Sequence, residues 1–181
     1  MGDELTLSKQ GEKRATVLGQ VSAGIPGIAE AEALGDLASR RVAGFALADH
    51  MRASLVCDAL TMATTQRRPK TGLIFHSDRG SQYASHTFRK LLDAHGVRQS
   101  LGRPRQCWDN AVAESFFATL KTELIYRHAW PTTAAARQAV FEFIEVFYNR
   151  QRAQRQSALG YCPSAEYEER RPRSHGPAPA A

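Results

Sequence analysis

Residues 72–83 read Gly72-Leu73-Ile74-Phe75-His76-Ser77-Asp78-Arg79-Gly80-Ser81-Gln82-Tyr83. A glycine opens a short apolar run, and the run passes into a cluster of Ser, Asp and Gly. That pattern predicts a brief buried strand ended by a turn. An Asp just past the carboxyl end of a strand, followed by a glycine-containing turn, can project into the crevice outside the sheet. The same three residue types are ordinary turn formers, so Asp78 on its own reads as a turn residue.

Upstream, 40–49 (RRVAGFALAD) reads as a strand, small and apolar residues after two arginines, that Asp49 and His50 end. Residues 52–66 place Leu55, Ala59, Leu60 and Ala63 at helical spacing, and Arg67, Arg68, Pro69 and Lys70 close that helix with charge suited to a C-terminus. Downstream, Ser85 is an N-cap for HTFRKLLDAH and Gly96 its stop. VRQSL (97–101) is a third short strand, and 102–110 (GRPRQCWDN) form a basic loop. A helix capped by Asp109 or Asn110 then covers 111–127, and Pro131-Thr132-Thr133 opens another in which Val140, Phe143, Ile144 and Phe147 recur at core-facing spacing. Strand, helix, strand, helix, strand, helix, helix is an α/β order. Three strands fall short of the ~5 of an average sheet. Residues 1–35 carry no aromatic side chain and no sustained alternation, and they read as short helical turns around Pro26. The tail 170–181 is Pro-rich and charged, a disordered composition.

The chain has 181 residues, enough for one domain, with 43% hydrophobic and 23% charged residues, which excludes wholesale disorder. No apolar run approaches the ~20 residues of a membrane helix. The first residues are polar and unlike a secretory signal. The 3 cysteines, Cys57, Cys107 and Cys162, are odd in number and far apart, so neither a disulfide framework nor a zinc pair is expected and a cytoplasmic setting follows. The excess of 24 basic over 18 acidic residues, net +6, points toward a polyanionic partner.

Glu114 falls in the first turn of the 111–127 helix, at the edge of the stripe formed by Ala113, Phe117, Leu120 and Leu124. It is placed either to face a cleft or simply to favour the helix dipole. Lys121 follows seven residues later on the same face, as a surface lysine or as a cation beside a passing phosphate backbone.

Taken together, thirty-five residues separate Asp78 from Glu114, HSDRGSQY leads, CWDNAVAESFFATLK follows, and YNRQRAQRQSALGYCPSAEYE closes the chain. This set of motifs resembles the integrase catalytic core of insertion-sequence transposases, relatives of the retroviral-type integrases, over roughly 36–169. The resemblance implies a ribonuclease-H-like fold, a mixed sheet flanked by helices, and an Asp, Asp, Glu triad. Asp78 corresponds to the second acid, Glu114 to the third, and Lys121 to a DNA-contacting basic residue. Trp108, Asp109 and Asn110 match the segment before the catalytic helix. Mg²⁺ or Mn²⁺, two ions in an intact member, is the implied cofactor. The implied partner is DNA, both transposon ends and target, with a homodimer or another transposase chain as a further partner and a nucleoid-associated location.

The family's first Asp belongs to an opening strand, in a segment resembling Trp-x-x-Asp-Ile-Thr, and no such segment is found. The match begins near Leu34-Gly35-Asp36, which resembles the end of the family's second strand. Asp36 itself reads as a polar residue of a hairpin, and nothing around Asp3 matches. The expectation is therefore a divergent segment 1–35, a partial core 36–169 lacking one or two strands, and impaired activity. The alternative is a non-catalytic nucleic-acid-binding transposase remnant. Arg98, Arg103 and Arg105 form one basic cluster and Arg150, Arg152 and Arg155 a second, either a phosphate-contacting surface or a solvated face. His76 and His86 lack a second pair at zinc spacing. Phe116, Phe117, Phe141, Phe143 and Phe147 are expected in the core.

Overall fold

The computed structural model describes residues 14–25, 27–102, 111–154 and 159–170. Among these, strands β1 (Arg14–Ile25), β2 (Ile28–Asp36) and β3 (Val42–Ala48) precede helix α1 (Ala53–Arg67), β4 (Ile74–Ser77), α2 (His86–Ala94) and β5 (Arg98–Leu101). Then come α3 (Ala111–Glu123), a 3₁₀ turn (Ile125–Arg127), α4 (Thr133–Glu142), which runs on as a π-helix (Phe143–Gln151), and α5 (Ser164–Arg170).

The five strands form one sheet in the order β3-β2-β1-β4-β5. The first three pair antiparallel as a meander. Beyond them β4 joins β1 in parallel and β5 joins β4 in parallel, because a helix intervenes before each and carries the chain back to the same end. Helices cover both faces. Ala31, Ala33 and Val42 pack with Phe116, Phe117 and Leu120 of α3 and with Ala136, Val140, Phe143, Ile144 and Tyr148. On the other face Leu34 and Phe75 pack with Val56, Ala59 and Leu60 of α1 and with Phe88 and Leu92 of α2. Gly44 lets α1 lie against β3: a Cβ there would come within 2.3 Å of the Ala59 carbonyl oxygen.

Local signals hold where they were strong. Ser85 Oγ accepts from the Phe88 N–H at 3.2 Å, and Thr132 Oγ1 from the Ala135 N–H at 3.1 Å. Gly96 takes φ 62° after α2, the conformation that a helix stop needs. Asp36 ends β2, where its Oδ1 accepts from the N–H groups of Ala38 and Ser39 at 2.8 and 3.1 Å, a hairpin turn residue as read.

Two expectations are corrected. The sheet is not short of its first strands: residues 14–36 are not helical turns but the β1–β2 hairpin, closed at Gly27 with φ 74°. The segment AEAEALG is rich in good helix formers, yet both faces of β2 are covered and sheet pairing overrides that weak preference. Pro26, the tail 171–181 and the proposed caps Asp109 and Asn110 lie outside the described residues. Of the five phenylalanines assigned to the core, Phe116, Phe117 and Phe143 are buried, but Phe141 and Phe147 are 47% and 38% exposed. The π-helix widens the turn, so the residue five along from Phe143, Tyr148, takes the inward place that 3.6-residue spacing had assigned to Phe147.

One side chain of α5 ties it to the β2–β3 turn and to α1. Glu168 of α5 accepts from Ser39 Oγ at 2.8 Å, from Arg41 at 3.2 Å and from Arg67 Nη1 at 2.8 Å. Burial alone would raise its pKa, but the hydrogen bonds from Arg67 and Ser39 and the charges of Arg67 and Arg41 hold it below the ordinary carboxylate value.

Candidate functional site

Asp78 is the first residue beyond β4, and it is exposed. Its Oδ1 accepts from the Gly80 N–H at 2.8 Å, which shapes the turn and leaves the other carboxylate oxygen without a role in that bond. Glu114 is exposed in the first turn of α3, and Lys121, two turns on, is half-buried. The topology relates the two acids through β1. That strand is flanked by β4, whose end presents Asp78, and α3, which carries Glu114, lies against it. The elements that carry the two acids, β4 and α3, thus both meet β1. β1 itself, RATVLGQVSAGI, contains no Asp or Glu.

The other predicted site residues are more dispersed. Arg98 opens β5 and is exposed, and Arg150 is exposed on the π-helix. Arg152 differs: its guanidinium bonds Glu123 at 3.1 Å and lies 5.7 Å from the centre of the Tyr148 ring, so its charge is engaged inside the protein. Arg103, Arg105, Arg155, Cys107 and Trp108 lie outside the described residues. His76 Nδ1 is 3.1 Å from Ser100 Oγ, linking β4 to β5.

One acid escaped the sequence reading. Glu32, midway along β2, is 0% exposed. Tyr83 Oη donates to its Oε1 and Oε2 at 3.0 and 3.2 Å. Burial pushes its pKa up to about 8. The Tyr83 bond opposes that rise and the negative charge of Asp78 adds to it. Burial and the Glu32 charge likewise raise the Tyr83 phenol. The signal was present in the sequence as Leu34 two residues later: once 28–36 is a strand, Glu32 must share Leu34's inward face.

Exposed carboxylates are hard oxygen donors of the type Mg²⁺ prefers, and a hydrated Mg²⁺ needs only one or two of them from a protein. Asp78 and Glu114 fit that demand by chemistry. Among the described residues no group of three His, Cys, Asp or Glu side chains is assembled to hold a metal ion. No described helix is long and apolar enough to cross a membrane.

Comparison with known proteins adds to this geometry. Two family profiles described as "Integrase core domain" match residues 33–107 and 95–163. The chain is 38% identical over 135 residues to "Insertion element IS600 uncharacterized 31 kDa protein" of Shigella sonnei, covering 75% of this chain and 49% of that protein. It is 42% identical over 117 residues to "Transposase InsF for insertion sequence IS3A" of Escherichia coli K12, covering 65% and 41%. It thus spans about half the length of the curated relatives it matches. Among solved structures, the catalytic core domain of BIV integrase superposes with a TM-score of 0.62 at 19% identity, over 88% of this chain and 95% of that one, a likeness of fold.

Proposed function

The chain belongs to the integrase core domain family of insertion-sequence transposases, and from that membership we propose that it carries the metal-binding and DNA-binding surface of a phosphodiester-transfer enzyme of DNA transposition. The observation that supports this reading is that β4, whose end presents Asp78, and α3, which carries Glu114, both meet the central strand β1, with thirty-five residues between the two acids in the chain. The working unit in this reading is 36–169, completed by the β1–β2 hairpin.

In this reading Asp78 and Glu114 hold a divalent ion, Mg²⁺ or Mn²⁺. Such an ion, when bound, activates an attacking oxygen and stabilises the leaving one. The protein's own groups do the rest. Asp78 is fixed in orientation by the Gly80 N–H. Lys121, on the same helix as Glu114, neutralises a phosphate running past the acids. Arg98 and Arg150 lengthen that track, and the family resemblance adds Arg103 and Arg105 as phosphate contacts, while Arg152 is held back by Glu123. Phosphate contacts of this kind set register and add salt-dependent affinity without reading sequence.

The family triad has an acid on its first strand and β1 has none. With two carboxylates the chain binds metal weakly and transposes poorly by itself, and a second copy or another transposase chain would have to complete the site. The same absence favours a second reading, a DNA-binding remnant without catalysis.

Thermal melting of residues 1–181 with and without Mn²⁺ separates the two. A ligand at ~100 times its dissociation constant adds about 2.7 kcal/mol of stability. A melting temperature that rises with Mn²⁺, and rises less in Glu114→Gln and Asp78→Asn, supports the metal-binding core. A melt indifferent to Mn²⁺, with DNA affinity unchanged in both variants, supports the remnant. Full strand transfer by the isolated chain would overturn the claim of impairment.

A further inference from the structure

The turn that presents Asp78 lies outside regular secondary structure. Asp78, Arg79 and Gly80 belong to neither β4 nor α2, and Asp78 and Arg79 are exposed. Arg79 Nε donates to the Gly102 carbonyl at 3.3 Å, and a deeper anchor follows at Tyr83, which is 1% exposed and tied down in three directions. Its hydroxyl donates to Glu32 of β2. Its carbonyl accepts from Gln99 Nε2 of β5 at 2.8 Å. Its ring meets Phe88 of α2 edge-on at 6.0 Å and Phe75 of β4 at 6.4 Å. From that anchor the Tyr83 N–H donates back to the Gly80 carbonyl at 3.1 Å, and the Gly80 N–H in turn holds Asp78 Oδ1. An unbroken chain of bonds therefore runs Glu32, Tyr83, Gly80, Asp78.

We infer that Glu32 is a positioning residue for the acidic site, acting through Tyr83 on the turn that aims the Asp78 carboxylate. This rests on the reading of Asp78 as a metal ligand given above, while the mechanical part can be read without metal. A fully buried carboxyl is a costly element of a core, and a leucine would fill the place without that cost. Its bond to Tyr83 gives that cost a use, because Tyr83 holds the turn in place. The raised pKa agrees: at neutral pH Glu32 is a neutral acid, so it grips the phenol without opposing the Asp78 charge.

The test uses the whole chain, metal-free, with ¹⁵N relaxation at the Gly80 amide, followed by Mn²⁺ titration. Glu32→Leu is expected to melt no lower than wild type at pH 8, while the Gly80 order parameter falls from the rigid range near ~0.85 to below ~0.6. Mn²⁺ affinity is expected to fall at least fivefold. Tyr83→Phe, which removes only the hydroxyl and leaves the buried Glu32 carboxyl without that partner, is expected to melt lower but to loosen Gly80 and weaken Mn²⁺ binding in the same way, and serves if Glu32→Leu does not fold. Glu32→Gln keeps an acceptor for the phenol and should match wild type in both readouts at pH 7. A Gly80 order parameter unchanged in both Glu32→Leu and Tyr83→Phe overturns the inference. A loosened Gly80 in a protein whose wild type ignores Mn²⁺ supports the inference and overturns the metal-site reading instead.

Discussion

Asn149 grips the backbone of Val42 with both ends of its amide. Its Oδ1 accepts from the Val42 N–H at 2.9 Å and its Nδ2 donates to the Val42 carbonyl at 3.0 Å. The side chain is 0% exposed and Val42 opens β3, an edge strand of the sheet. Asn149 thus takes the part of a missing neighbouring strand, satisfying two groups that burial would otherwise leave unpaired. Asn149→Ala should cost about 2–4 kcal/mol, since each abandoned buried group costs ~1–3. Asn149→Asp keeps an acceptor, loses the donor and sets a charge against the carbonyl, so it should do no better. Urea denaturation measures both, and a loss under about 1 kcal/mol in the alanine variant would refute this role.

The clasp of Glu168 on Ser39, Arg41 and Arg67 predicts a pH-dependent stability. Its folded pKa lies below the unfolded value of 4.5, so its contribution is present above 4.5 and is lost as pH falls through the folded pKa. Glu168→Gln should be less stable than wild type by about 1–3 kcal/mol at pH 7, in line with charged hydrogen bonds. The gap should close in acid. A gap independent of pH between 7 and 3 would argue against the ion pairs as its source.

Glu32 predicts the opposite slope. Its folded pKa, about 8, lies above the unfolded 4.5, so the unfolded chain releases the proton first. Stability is fully present below 4.5 and declines as pH rises toward 8, by up to roughly 1.4 kcal/mol per unit. Glu32→Gln should remove this decline, giving a higher melting temperature at pH 8 and little change at pH 5. Parallel pH profiles for the two proteins would show that Glu32 ionises normally.

Gly44 predicts an intolerance of the smallest addition. Its would-be Cβ meets the Ala59 carbonyl oxygen at 2.3 Å and the Ala63 N and Cβ at 2.7 and 2.8 Å. Two of those atoms are backbone of α1, so the whole helix must shift. Gly44→Ala should destabilise by about 1–3 kcal/mol, the usual cost of overpacking. An unchanged denaturation midpoint would mean that α1 sits further from β3 than its contacts imply.

The residues themselves determined the elements with local causes. The run at 73–77 was apolar enough to be a strand and nothing else, Ser85 and Thr132 carried their caps, and Gly96 supplied the one backbone freedom that ending α2 needed. The spacing of Asp78 and Glu114 was equally visible, because it is a property of the chain. Only tertiary structure decided the rest. Residues 14–36 lack a local preference for strand, and become one because pairing with β3 and β4 satisfies their backbone. Phe147 turned outward and Tyr148 inward because a π-helix changes the period on which the reading depended. Glu32 became a core carboxyl only once β2 had two covered faces and Tyr83, fifty-one residues away, arrived to meet it. Side-chain chemistry is written residue by residue. Which carboxylate reaches water and which is sealed beneath it depends on contacts between segments far apart in the chain.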